Sequence, residues 1–173
     1  MSVSLPLATP VVQPRSLGVP LAPVLADIAA RALADGLGFS GHIGPREAWA
    51  LFQEGQALLV DVRSAAERQF VGRVPGAAVA AWAEGLSLER NPGFIDELEQ
   101  ALAAAGVPPG RSVPLLLLCR SGVRSIRAAE AAVAAGHPAA FNVLEGFEGA
   151  LDEHRQRGHR DGWRRLGLPW EQG

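Results

Sequence analysis

The sequence predicts an α/β fold, a small and mainly parallel sheet covered by helices on both faces. Two apolar runs, Ala57-Leu58-Leu59-Val60-Asp61-Val62 and Pro114-Leu115-Leu116-Leu117-Leu118, read as strands buried on both sides, since a strand with one wet face would alternate apolar with polar residues. Segments of helical spacing lie between the apolar runs, and glycines and prolines punctuate the joints. A parallel pair needs a crossover long enough to hold a helix, so this alternation favours parallel strands.

Residues 1–20 carry prolines at 6, 10, 14 and 20 with a single charge, and read as an extended or disordered lead-in. Ala22 to Leu33 has helical spacing in Val24, Leu25, Ile28 and Ala32, with Gly36 as a stop; this helix is expected to pack on the domain or on a partner. The chain therefore divides into an N-terminal extension, 1–37, and a compact domain, 38–173. Within the domain, Pro45 opens a helix that Gly55 closes, followed by the strand 57–62 and a short helix or turn from Ser64 to Phe70. Ala77 to Ala81 reads as a strand, and a helix from Asn91-Pro92 runs through Ile95, Leu98 and Leu102 to Gly106. After the turn at Pro108-Pro109-Gly110 come the strand ending at Leu118, a helix over Ile126 to Val133, a stop at Gly136 and a last strand, Ala140 to Leu144.

Composition removes several function classes. At 173 residues, 48% apolar and 20% charged, the chain has the makeup of a soluble globular protein of one domain plus some extra. A formal net charge of -2 gives no general attraction to nucleic acid or an anionic membrane, and no stretch is apolar enough for a transmembrane helix. All sixteen basic residues are arginine, so Schiff-base chemistry on lysine is excluded. One cysteine makes no internal disulfide and no zinc spacing accompanies it, and no cofactor or metal is expected. A free thiol, with no basic signal-peptide start, fits a cytoplasmic protein.

The chemistry concentrates at that cysteine. Cys119 stands where the apolar strand breaks into Arg120-Ser121-Gly122-Val123-Arg124-Ser125, directly before a helix. An isolated cysteine at a strand end is most often a small buried hydrophobe. A strand-to-helix turn, however, aims backbone N–H groups and the positive end of the helix dipole at whatever anion sits in its centre. Gly122 permits the curl, and Arg120 and Arg124 add positive charge. A free thiol is only a few per cent thiolate at neutral pH, and these are the features that activate one. In a parallel sheet ligands bind at the carboxyl ends of strands, where Asp61 also falls.

Four separated segments resemble the rhodanese family in content, order and spacing: Leu58 to Arg63, Gly72-Arg73-Val74-Pro75-Gly76-Ala77, Leu117 to Ser125, and Asn142-Val143-Leu144-Glu145-Gly146. The resemblance covers approximately Gly38 to the C-terminus. It implies the three-layer rhodanese-like fold and a cysteine that accepts sulfane sulfur as a persulfide. The partners it implies are a small anionic sulfur donor and a thiol or protein acceptor, with the oligomeric state left open. On this resemblance Cys119 is the nucleophile and Arg120, Ser121, Gly122, Val123 and Arg124 form its anion cradle, closed by Arg124. Asp61, Arg63 and Ser125 support it, and Asp61 reads as a bracing or capping carboxylate rather than an acid or base. Related phosphatases have one more residue between cysteine and arginine, so the shorter interval favours sulfur transfer. A non-catalytic docking module is the alternative function, and a phosphatase a more distant one.

The chain departs from the family pattern in two places. Position 73 is arginine where many relatives have histidine, and Trp163 arrives seventeen positions after Gly146 where the family usually has a tryptophan within a few. The added segment, 152–165, holds His154, His159 and five arginines and is expected near the rim of the cysteine pocket. Its charges read as a solvated loop rather than a docking surface, and two histidines without a third ligand make no metal site. Trp163 and Trp170 read as packing anchors.

Overall fold

The computed structural model describes residues 22–85 and 87–173, and the lead-in expected over residues 1–20 lies outside them. The first element is α1 (Pro23–Ala34), followed by β1 (His42–Ile43), α2 (Pro45–Gln53), β2 (Leu58–Asp61), α3 (Ala65–Val71) and β3 (Ala78–Val79). A small antiparallel pair, β4 (Ala83–Glu84) and β5 (Glu89–Arg90), precedes α4 (Phe94–Ala104), β6 (Leu115–Leu118), α5 (Arg124–Ala134) and β7 (Ala140–Val143).

The main sheet has the order β1-β7-β6-β2-β3, and every pairing in it is parallel. Central β6 shows why its sequence is continuously apolar. Leu116 and Leu118 face one core, with Leu25, Leu51, Phe141 and Trp163; Leu115, Leu117 and Cys119 face the other, with Phe94, Leu98 and Ala128. Both faces are covered, so neither parity of residue can be polar. The expected α/β architecture is thus present as helix, sheet and helix layers.

Helix α1 packs on the domain: Leu25 is fully buried in the first core, and Gly41 lies so close to the helix that an added Cβ would stand 2.7 Å from Ile28 Cγ2. The segment Ser64 to Phe70 resolves as α3, whose start follows from a reciprocal capping box in which Ser64 Oγ accepts from Glu67 N–H and Glu67 accepts from Ser64 N–H. Two features escape periodicity. Strand β1 is two residues long and pairs with residues one hundred positions later, and the β4–β5 pair is equally short. No helix among the described residues is long and apolar enough to cross a membrane.

After β7 the chain forms no further helix or strand, yet it is tightly fastened. Trp163 is fully buried, edge-on to Trp49 at 5.8 Å, and its indole N–H donates to Pro169 O at 2.8 Å. Trp170 stays partly exposed, stacked edge-on against Phe147 with the Arg164 guanidinium above it. The chain then returns to Arg73 through an antiparallel bridge to Glu171 and an Arg73–Glu171 ion pair of 2.9 Å.

Candidate active site

The carboxyl ends of β6 and β2 place the site. Leu118 pairs with Asp61, so Cys119 emerges beside the Asp61–Arg63 segment. Residues 119–123 curl ahead of α5, whose N-cap residue Val123 provides no side-chain cap; the first N–H groups of the helix therefore point into the loop. Cys119 is buried, as an ordinary core cysteine would be, but its Sγ has polar neighbours: Gly122 N–H donates to it at 3.2 Å and Ser125 Oγ lies 3.1 Å away. The Gly122 N–H is a donor that a sulfur anion can accept from, while the single Ser125 hydrogen is shared between Cys119 and Asn142.

Gly122 is required twice over. Its φ of +80° is left-handed, and a Cβ there would stand 3.0 Å from Glu145 N. The reason is the turn that follows β7, which lies directly beneath the cysteine loop: Phe147 N–H donates to Cys119 O at 2.8 Å and Glu148 N–H to Arg120 O at 2.9 Å. Val123 is exposed at the rim, and Arg120 and Ser121 are half-buried. Among the described residues the Arg120 side chain makes no hydrogen bond or ion pair, which leaves its guanidinium for an incoming anion.

Arg124 closes the loop, though through a partner that the sequence reading did not single out. Its guanidinium grips Glu67 of α3 with two hydrogen bonds, Nη1–Oε2 of 2.9 Å and Nη2–Oε1 of 2.5 Å. Burial pushes the Glu67 carboxyl up, but the hydrogen bond from Arg124, the Ser64 N–H and the arginine's charge outweigh it and hold the group at about 2. Burial likewise lowers Arg124, and the Glu67 contacts more than reverse this, so Arg124 is raised. The helix-start signal Ser64-x-x-Glu67 was readable; the reach of Glu67 across to the cysteine loop was not.

A depressed carboxyl contributes stability above its unfolded value of 4.5, and the contribution is lost as pH falls through about 2. Glu67→Gln is therefore expected to cost about 1–2 kcal/mol at neutral pH, the scale of a charge-assisted contact that is still partly reached by solvent. Its stability should also fall less steeply than wild type as the solution is acidified from 4.5 towards 2. Denaturant titrations at several pH values measure both, and parallel acid limbs for the two proteins would refute this account.

Asp61 and Arg63 brace rather than react. The Asp61 carboxylate accepts from Arg63 N–H at 3.0 Å and from the Arg63 side chain, most closely Nη2 at 2.6 Å, with both residues buried. Arg63 Nη2 also donates to Gly72 O at 2.8 Å, and the guanidinium lies 3.9 Å over the Phe147 ring. The pair thus ties β2's end to the segment before β3 and to the turn under Cys119. Ser125 is fully buried, between Cys119 and Asn142.

The segment 152–165 keeps most of its charges in solvent, with Glu153, His154, Arg155, His159, Arg160 and Arg165 exposed, and is also fastened by backbone contacts. Arg157 donates to Gly149 O, Arg160 to Leu151 O, Arg164 to Val71 O and Arg165 to His159 O, so these guanidinium groups knit the chain to itself and to the end of α3. His159 is bonded to Asp152 at 2.7 Å, and that contact, with backbone N–H groups of Gln156 and His154, holds Asp152 below the usual carboxylate range. Carbonyl-directed arginines leave no periodic trace in sequence.

Comparison with known proteins decides the family. The model of the rhodanese-like domain matches residues 44–153. The chain belongs to the rhodanese-like family. Among similar rhodanese-like structures, that of Rv0390 from M. tuberculosis is 41% identical with a TM-score of 0.67, covering 78% of this chain and 99% of the other. A thiosulfate sulfurtransferase from Pseudomonas aeruginosa shares the fold at 21% identity and a TM-score of 0.51, over 87% of this chain and 23% of that one. By sequence, the protein RP600 of Rickettsia prowazekii is 31% identical over 121 residues, 70% of this chain and 88% of its own length.

Proposed function

We propose that this rhodanese-like protein is a sulfurtransferase that carries sulfane sulfur as a persulfide on Cys119. The observation that carries the reading is the sulfur's environment: a Gly122 N–H and a Ser125 hydroxyl at Sγ, at the open N-terminus of α5, with Arg120 at the rim and unpaired among the described residues. Backbone N–H groups, a helix dipole and a guanidinium all favour a thiolate and, after transfer, a persulfide anion.

With thiosulfate as donor, the Cys119 thiolate attacks the sulfane sulfur, a new S–S bond forms, the donor's own S–S bond breaks and sulfite departs with the electron pair. An acceptor nucleophile, cyanide in an assay or a thiol on a small molecule or protein, then attacks the outer sulfur and restores the thiolate. Arg120 and the loop N–H groups orient the anionic donor, while the Arg124–Glu67 grip keeps the loop curled. The short interval from Cys119 to Arg124 suits a ring around one sulfur better than around a phosphoryl group.

Intact-mass measurement tests the first half-reaction. Protein treated with thiosulfate or a small persulfide should gain one sulfur atom on Cys119 and lose it on adding cyanide. An unchanged mass with every donor class, in folded protein, would overturn the reading.

A further inference from the structure

Four polar side chains run in line from the sulfur to the protein surface. Cys119 Sγ lies 3.1 Å from Ser125 Oγ, Ser125 Oγ lies 2.5 Å from Asn142 Oδ1, and Asn142 Nδ2 lies 2.9 Å from His42 Nδ1. Ser125 and Asn142 are buried, whereas His42, on edge strand β1, is exposed. The sulfur-transfer steps above use neither Asn142 nor His42.

We propose that this chain couples the protonation of His42 to that of Cys119, a protonated His42 favouring the thiolate. The coupling follows from counting hydrogens. A serine hydroxyl has one, and a carboxamide has a donor end and an acceptor end. When His42 is neutral at Nδ1, that nitrogen accepts from Asn142 Nδ2. Asn142 Oδ1 then faces Ser125 and takes its single hydrogen, so Ser125 presents only lone pairs to the sulfur. That arrangement suits a thiol, which can donate its S–H to Ser125 Oγ.

Protonation of His42 reverses each contact. Its Nδ1 becomes a donor, and two donors cannot face one another. Turning the carboxamide end for end places Oδ1 against the imidazolium and Nδ2 against Ser125 Oγ. Ser125 must then direct its hydrogen to sulfur, which suits a thiolate. The two carboxamide ends are nearly equal in size, so the turn needs no repacking. Protons balance: His42 takes one from water, Cys119 releases one to water, and none has to travel along the chain. By reciprocity, the thiolate makes His42 easier to protonate by the same factor.

Among the described residues no charged group forms an ion pair with His42. Asp27 and Arg31 belong to α1, which packs against β1, and Asp35 follows its last turn; none of them forms an ion pair with His42, whose ring meets the Phe39 ring edge-on at 5.1 Å. Behind β7, on α5, Arg124 is held by Glu67, and Arg127 and Glu130 hold each other.

The significance of the coupling rests on Cys119 being the sulfur carrier, but its test does not need sulfur transfer. The rate of Cys119 alkylation by iodoacetamide, followed against pH, reports the thiolate directly, and the His42 ring resonance reports the histidine. One hydrogen bond gained by a charged sulfur corresponds to a coupling on the order of tenfold. The wild-type alkylation profile should therefore spread over about one pH unit more than a single ionisation. His42→Gln, on the surface, and Ser125→Ala should each restore a single-ionisation curve. The His42 ring should titrate at lower pH in Cys119→Ala than in wild type. A single-ionisation profile that His42→Gln leaves unchanged, or a His42 titration indifferent to Cys119→Ala, overturns the proposal. Coupled titration in a protein that takes up no sulfur would leave the proposal standing and remove the sulfurtransferase reading instead.

Discussion

Cys119→Ser is expected to gain no sulfur from thiosulfate and to deliver none to cyanide, while still folding with a modest loss of stability. The serine oxygen is smaller than sulfur and sits on a shorter bond, so some packing is lost, but Gly122 N–H and Ser125 remain nearby as hydrogen-bond partners for the buried hydroxyl and the fold is kept. What disappears is the soft nucleophile: a serine hydroxyl in the same cradle is not ionised at neutral pH and forms no persulfide. Turnover should fall by on the order of 10⁴-fold or more, the scale seen when a covalent nucleophile is removed. Steady-state sulfur transfer and intact mass, with denaturant unfolding as the control, measure the two halves of this expectation. A serine protein within about tenfold of wild-type turnover would mean that the chemistry lies elsewhere.

Gly146→Ala should damage both stability and activity, from a position that touches no substrate. Gly146 has φ +65°, and a Cβ there would stand 2.5 Å from Cys119 O and 2.6 Å from both Arg120 C and Ser121 N. These are backbone atoms, with no flexible side chain to swing aside, so the cysteine loop itself has to move. Left-handed strain and the forced displacement together are expected to cost about 3 kcal/mol. The loop that moves is the one that holds Sγ, so alkylation of Cys119 should slow along with turnover. Wild-type melting and wild-type alkylation in Gly146→Ala would refute the packing argument. Gly36→Ala is a useful contrast, since its φ of +71° carries similar strain but a Cβ there meets nothing within 4 Å.

Local features of the chain were legible in sequence. The Leu115–Leu118 run, the glycine-bearing loop and the helix after it follow one another directly, and each has a one-dimensional signal in hydrophobicity, turn chemistry or spacing. What completes the site is brought in from far along the chain. Glu67 is 57 positions from Arg124, and His42 is 100 from Asn142; neither pairing leaves a periodic mark. Strand β1 illustrates the physical limit, since two residues are too few to show alternation and its existence depends on the β7 edge being there to receive it. The tail is a similar case: Arg155, Arg160 and Arg165 face solvent as their charge suggests, but the carbonyl oxygens that Arg157 and Arg160 reach are not visible in sequence.

The turn beneath Cys119 has a consequence for the protein as it is made and handled. Carbonyl groups of the cysteine loop are held by Phe147 and Glu148, and its closing arginine by Glu67, so the segments that shape it lie both upstream and downstream. Contacts so distant in sequence form only with the fold as a whole. A nascent or partly unfolded chain therefore lacks the cradle around Cys119, and the sulfur transfer proposed for it has to await completion of the native structure.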